Sequence, residues 1–410
     1  MNRSFDEKLA LFAKLAVHEG LGLARGQELI VAAELIAAPL VRLIAAEAYR
    51  AGAKNVEVLW SDPELTLARF REGSDEAIAY APNWLIDGVA RAHRENAARL
   101  AISSTDPGLL ARVAPDRVAT QSKVQGAARK PVSDLVAGSA INWCVIGAAS
   151  PAWAARVFPD LPTDRALAKL WDAIFLTSRV EEPDPVAAWV AHSESLEARV
   201  TTLEAARFDA LHFTGPGTDL SVGLVEGHRW AGGRGRAKNG ILCSPNIPTE
   251  EVFCMPHRLR VDGVVSSTMP LSVRGQMVDG IRVTFKEGQA VEATARQGEA
   301  TFRKLLATDE HAGRLGEVAL VPHSSKVRQA GVLFLNTLYD ENAASHIAFG
   351  ASYGENLSGY AEMSEAQRVA RGANDSIVHV DWMIGSDRID VDGVAKDGAR
   401  TPLMRAGEWA

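Results

Sequence analysis

The sequence predicts an α/β protein: an N-terminal α/β domain with a largely parallel sheet, then a β-rich (α+β) C-terminal domain. Two observations carry this. Up to about residue 210, segments of helical period alternate with short apolar runs, the pattern of helices laid on a parallel sheet. Beyond it, LSVGLVEG, GVVSSTMPLSV, GIRVTFKEG and QAVEATARQG are short alternating stretches punctuated by glycine, the pattern of antiparallel hairpins. The predicted domains are therefore 1–210 and 211–410.

Taken in order, residues 5–18 carry Leu9, Phe12, Ala13, Ala16 and Val17 at helical spacing. Residues 40–50 continue that pattern until Ala51-Gly52 stops it, and 55–60 follow as a β-rich run. Residues 84–100 read as helix, 100–103 as strand and 140–147 as a buried strand. Helices are expected over 163–177 and 185–208, and in the second half most clearly over 298–307.

Composition bounds the function. The 410 residues are 47% hydrophobic and 23% charged, which excludes disorder and a disulfide-dense scaffold. A chain this long buries a core without metal staples, so a metal here would serve chemistry more than folding. A net charge of −7 argues against nucleic acid and anionic membranes as partners. Cys144, Cys243 and Cys254 show no CxxC spacing and read as reduced structural thiols. Acidic and basic residues interrupt the N-terminal segment, and no apolar run reaches the ~18 residues of a membrane span. The expectation is a cytoplasmic protein.

Several motifs invite chemistry. Gly232–Gly240 is glycine-rich but lacks the order of a phosphate loop, and a solvated hairpin is expected there. Gly350-Ala-Ser-Tyr-Gly354 matches GxSxG, which would make Ser352 the nucleophile of a serine hydrolase. That reading needs a helix after the serine and a histidine after the acid, and His379 is the last histidine, preceding Asp381.

The acids and histidines of the second half form a better set, since seven of the ten histidines lie between His212 and His379. In His379-Val-Asp381 a strand would point both polar side chains to one face, about 7 Å apart, as half of a metal site or as a wet face. Glu250 and Glu251 are adjacent, so an extended chain sends only one of them into a shared site. Glu317 heads an apolar strand, either at its rim or paired with a cation. Asp340, Glu341 and His346 lie between two apolar runs, with Tyr353 seven residues beyond.

NIPTEEVF, LGEVALV, LYDENAASHIAFGASY and HVDWMIG, with TGPGTDLSVGL, VDGVVSSTMPL and AGAKNVEVLWSD, closely resemble the aminopeptidase T/PepS/AmpS family of two-metal aminopeptidases. The resemblance spans nearly the whole chain. It implies a β-rich C-terminal domain holding a dinuclear site, with metal ligands at Glu251, Glu317, His346, His379 and Asp381. Glu341 falls at an acidic position close to the metals, as a ligand or a general base, and Tyr353 at a tyrosine beside them. It further implies two divalent ions per chain (Zn, Co, Mn or Mg), a homodimer, and small peptides with a free N-terminus as substrates. The reaction would be removal of the N-terminal residue by a water or hydroxide that the ions activate. A non-catalytic metal-binding homologue of the same fold is the remaining alternative. Cys254 stands where the family often has Thr, and Met269 where Lys is common.

Overall fold

A computed structural model describes residues 3–273 and 276–410. The chain forms two compact units: one runs to His192 and takes in Arg234–Pro248, and the other is Ser193–Gly233 with Thr249–Ala410.

The first unit is built on five parallel strands in the order Asn55–Ser61, Glu28–Glu34, Ala98–Ser103, Trp143–Gly147, Asn246–Ile247. Glu28–Glu34 is not among the predicted strands. Its Leu29, Val31 and Ala33 are buried, as is Ile30 on the other face, so the run shows no alternation to mark a strand. The first helix, Phe5–Leu15, opens on a capping box in which Ser4 accepts the Glu7 N–H and Glu7 accepts the Ser4 N–H. It buries Leu9, Phe12, Ala13 and Leu15 and continues into a wider turn over Ala16–Gly20. The helix expected over 84–100 ends at Arg94, because Asn96 turns the chain with φ 80 before the strand starts at Ala98. Pro115–Ala137 is a helix the sequence does not announce; none of its residues is buried, so it has no apolar stripe to read. The glycine-rich segment forms a small antiparallel ribbon of Gly235–Arg236 and Leu242–Cys243, with Arg236 donating to the Gly240 carbonyl at 2.6 Å.

The second unit packs two antiparallel sheets. The larger has eight strands in the order Gln289–Thr294, Arg282–Lys286, Pro256–Ser266, Thr218–Leu224, Ala210–Gly215, Asp390–Val394, Arg400–Arg405, Glu408–Trp409. The smaller has four: Val252–Cys254, Leu315–Leu320, His346–Gly350 and His379–Met383. Val318, Leu320, Ile347, Phe349 and Trp382 turn one face of the smaller sheet into the shared core. There Phe349 stacks on Phe285 of the larger sheet at 5.7 Å and on Trp382 at 5.6 Å. Burying a ring such as Phe349 stabilises by about 1.5–3 kcal/mol, and this core fixes the sheet whose opposite face carries the acids and histidines. Among the described residues no helix is long and apolar enough to cross a membrane.

Candidate active site

Strand register assembles the site. Glu317 pairs with Ala348, and Ala348 pairs on its other side with Asp381. The two carboxylates therefore flank a methyl group in one row, which leaves the space between them open. His346 lies in the next row between Ala319 and Met383, and His379 lies opposite Gly350. The two-residue period puts all four side chains on one face of the sheet. Val252 pairs with Leu320, so Glu251, one residue earlier, turns to that face as well.

A bulge between Leu315 and Glu317 re-aims the Glu317 carboxylate. Gly316 permits it: a Cβ there would lie 2.2 Å from the Ala351 oxygen and 2.4 Å from that of Gly350.

The distances define two overlapping triads. His346 Nε2 is 3.2 Å from Glu251 Oε2 and 3.5 Å from Glu317 Oε1. His379 Nε2 is 3.4 Å from Glu317 Oε2 and 3.2 Å from Asp381 Oδ1. Glu317 thus offers a different oxygen to each imidazole. Both rings are oriented from behind. His346 Nδ1 donates to the Ala344 carbonyl at 3.2 Å and His379 Nδ1 to that of Ala351 at 2.8 Å. A carbonyl only accepts, so Nδ1 carries the proton and Nε2 is directed at the carboxylates.

This donor set fits divalent cations. Ligand atoms ~2.1 Å from one ion at tetrahedral angles stand ~3.4 Å apart, the spacing found within both triads. Glu251 Oε2 is buried and makes no hydrogen bond despite its closeness to His346, as expected of two atoms sharing a third partner. Imidazole and carboxylate together suit divalent cations, and a set without thiolate does not suit an iron–sulfur centre.

The same crowding governs the charges. Burial opposes protonation of His379, but Asp381 and Glu317 outweigh it and push the ring up to about 11. Burial alone would raise Glu317, yet His346 and His379 hold it down to about 2. The Glu341 carboxyl moves the other way. Burial raises it well above the usual range, and Glu251 and Asp381 add to the effect.

Glu341 begins the turn Glu341–Ala343, next to the site but outside both triads. Asn342, fully buried, holds it there: Nδ2 donates to the Leu338 carbonyl at 3.1 Å and approaches Glu341 Oε1 at 3.5 Å. The Oδ1 of the same residue accepts the Glu250 N–H at 2.6 Å. Tyr353 lays its ring 4.6 Å from that of His379 and meets Phe253 edge-on at 6.2 Å. Sequence reasoning misses Asn342 and Phe253, since neither residue type carries chemistry of its own in an isolated motif.

Ser352 is not built as a nucleophile. Its hydroxyl accepts the Asn374 N–H at 3.1 Å, and no histidine bonds to it among the described residues. The chain beyond it enters the short turn Gly354–Asn356 rather than a helix.

Known proteins resemble this chain over its whole length. Aminopeptidase T of Thermus thermophilus is 50% identical over 406 residues, covering 99% of each chain. Aminopeptidase 2 of Geobacillus stearothermophilus is 44% identical over 410 residues, covering 100% of this chain and 99% of the other. The solved structure of wild-type AmpT from Thermus thermophilus superposes with a TM-score of 0.94 at 49% identity, covering 99% of this chain and 100% of that one. The family described as thermophilic metalloprotease (M29) matches residues 5–409, and the chain belongs to it.

Proposed function

We propose that this metal-dependent exopeptidase removes the N-terminal residue of small peptides with two divalent ions, Zn, Co, Mn or Mg. One would be held by Glu251, Glu317 and His346, the other by Glu317, His379 and Asp381. The observation that carries the reading is the single carboxylate, Glu317, facing both imidazoles through separate oxygens. Relatives named aminopeptidases, 40–50% identical along the full chain, support the reaction class.

When bound, the ions supply Lewis acidity for the scissile carbonyl and for an attacking water. The protein's own groups do the rest. Glu341, whose carboxyl is held well above the usual range by burial and by Glu251 and Asp381, takes the water proton and returns it to the departing amine. The Tyr353 hydroxyl stays protonated and donates to the carbonyl oxygen as negative charge gathers there. The acidic wall pairs with the free α-ammonium and so selects chain ends. The reading includes a homodimer, which the family resemblance implies, working in the cytoplasm, where three free buried cysteines are at home.

Chelation tests it. Dialysis against a chelator should abolish release of leucine from an aminoacyl reporter, and Zn²⁺ or Co²⁺ should restore it. Full activity in metal-free protein would overturn the proposal. Binding of fewer than two ions per chain with no peptidase activity would favour the non-catalytic homologue.

A further inference from the structure

The strand His379–Met383 is the outer strand of the four-stranded sheet, so a ladder holds it on one side only. It nevertheless carries His379 and Asp381, two members of one triad. A segment with few partners opens locally before the rest of a fold does, so this strand needs anchors beyond its ladder. At its C-terminal end the Met383 carbonyl accepts the Thr268 N–H at 2.9 Å.

At its N-terminal end the anchor is Asp309, a half-buried carboxylate that the mechanism above does not use. Its Oδ2 accepts the Ser376 hydroxyl at 2.7 Å and the Ile377 N–H at 2.9 Å. Its Oδ1 accepts the His311 N–H at 2.8 Å. Ser376 Oγ in turn accepts the Val378 N–H at 3.2 Å. One side chain thus ties the loop at 309–311 to the residues that lead into His379. Burial opposes its charge, but the Ile377 N–H, the Ser376 hydroxyl and the His311 N–H outweigh it and hold the carboxyl below its ordinary range.

The restraint reaches the imidazole through two carbonyls. That of Val378 accepts the Ala351 N–H at 2.7 Å, and that of Ala351 accepts the His379 Nδ1–H at 2.8 Å. Gly350 leaves no slack, since a Cβ there would lie 1.9 Å from the Val378 oxygen. A shift of residues 376–378 would therefore turn the His379 ring away from Glu317 and Asp381. The other triad is insulated from it. His346 belongs to an inner strand with a neighbour on each side, and Ala344 orients its ring. Among the described residues no hydrogen bond joins Asp309 to the segments that carry His346 or Glu251.

We propose that Asp309 is a positioning residue: by pinning Ser376 and Ile377 it aims His379 and Asp381 at Glu317, and so sets the affinity of that divalent position without touching the other. The inference rests on the two-ion reading above.

Asp309→Asn tests it. Whichever way the amide lies, its NH2 group faces N–H or O–H donors where an oxygen stood, so one arm of the clasp opens. Metal-free protein is titrated with Co²⁺, followed by visible absorption and calorimetry. The parent should bind two ions. In Asp309→Asn one ion should keep its affinity within ~2-fold, and the other should bind ~10-fold more weakly, as when a group that orients a ligand is lost. At limiting Co²⁺, kcat should fall by a similar factor and recover at excess Co²⁺, with KM for a leucine reporter within ~2-fold of the parent. Ser376→Ala removes the hydroxyl arm alone and should weaken the same ion ~5-fold, about the worth of one hydrogen bond, and Ser376→Thr should recover most of that loss. If Asp309→Asn fails to fold by circular dichroism, the two Ser376 variants carry the test. Two ions bound as tightly as in the parent, or both weakened equally, would overturn the positioning role alone. A parent that binds fewer than two ions would overturn the two-ion reading, and this inference with it.

Discussion

Asn342 Oδ1 accepts the backbone N–H of Glu250 at 2.6 Å, tying the segment that presents Glu251 to the turn that presents Glu341. The two acids are ninety residues apart in the chain, and this side chain sets their separation in space. Asn342→Ala is therefore expected to lower metal affinity and kcat/KM by ~10–100-fold, the usual effect of removing an outer partner of a metal site. Metal titration alongside kinetics checks it; unchanged affinity and rate would mean the clamp is dispensable.

Glu317→Gln removes the charge shared by both imidazoles. The loss of activity should exceed the ~100-fold typical of changes to residues that only support a ligand. Metal analysis should find fewer ions bound than in the parent. Circular dichroism should show the fold retained, because Phe349 and Trp382 pack the opposite face of the sheet. Two tightly bound ions in this variant would contradict the bridging role.

Ser352→Ala deletes one hydroxyl that accepts a backbone N–H from Asn374. The expected cost is about 1 kcal/mol of stability, from one lost hydrogen bond. Peptide hydrolysis should remain within a few-fold of the parent. A fall of several orders of magnitude would revive the nucleophilic serine.

His93 offers a pH test far from the metals. It is almost fully buried, with Nδ1 donating to the Ala97 carbonyl at 2.9 Å, and burial lowers its pKa below the ordinary value. Above a pH of about 6.5 the ring is neutral in both folded and unfolded chains and contributes no slope. As pH falls below that value, the unfolded chain takes up a proton that the folded one resists, so stability declines until the lowered folded pKa is passed. Urea unfolding at several pH values should show a shallower acid-side decline for His93→Gln than for the parent. Equal declines would assign the effect to other groups.

Legibility in the sequence depends on the range of each signal. His379 and Asp381 are two residues apart on one strand, so their common face can be read from the local pattern. Glu251, Glu317 and His346 come together only through register among strands distant in sequence, which no local period encodes. Family resemblance alone places them in one site without coordinates. The Glu28–Glu34 strand and the Pro115–Ala137 helix escape sequence reading for opposite reasons, one apolar on both faces and the other buried on none. The clamp at Asn342 is a matter of one buried amide and leaves no trace in composition.

Ala348 lies between Glu317 and Asp381 on the adjoining strands, and its side chain is the smallest that still has a Cβ. A leucine or phenylalanine there would keep the strand and its inward packing while crowding the space where the donor atoms converge. The position therefore acts as a diagnostic marker. Relatives with every acid and histidine intact but a bulky residue at this point are candidates for folded proteins that have lost their catalysis, and a sequencing survey could sort them before any assay.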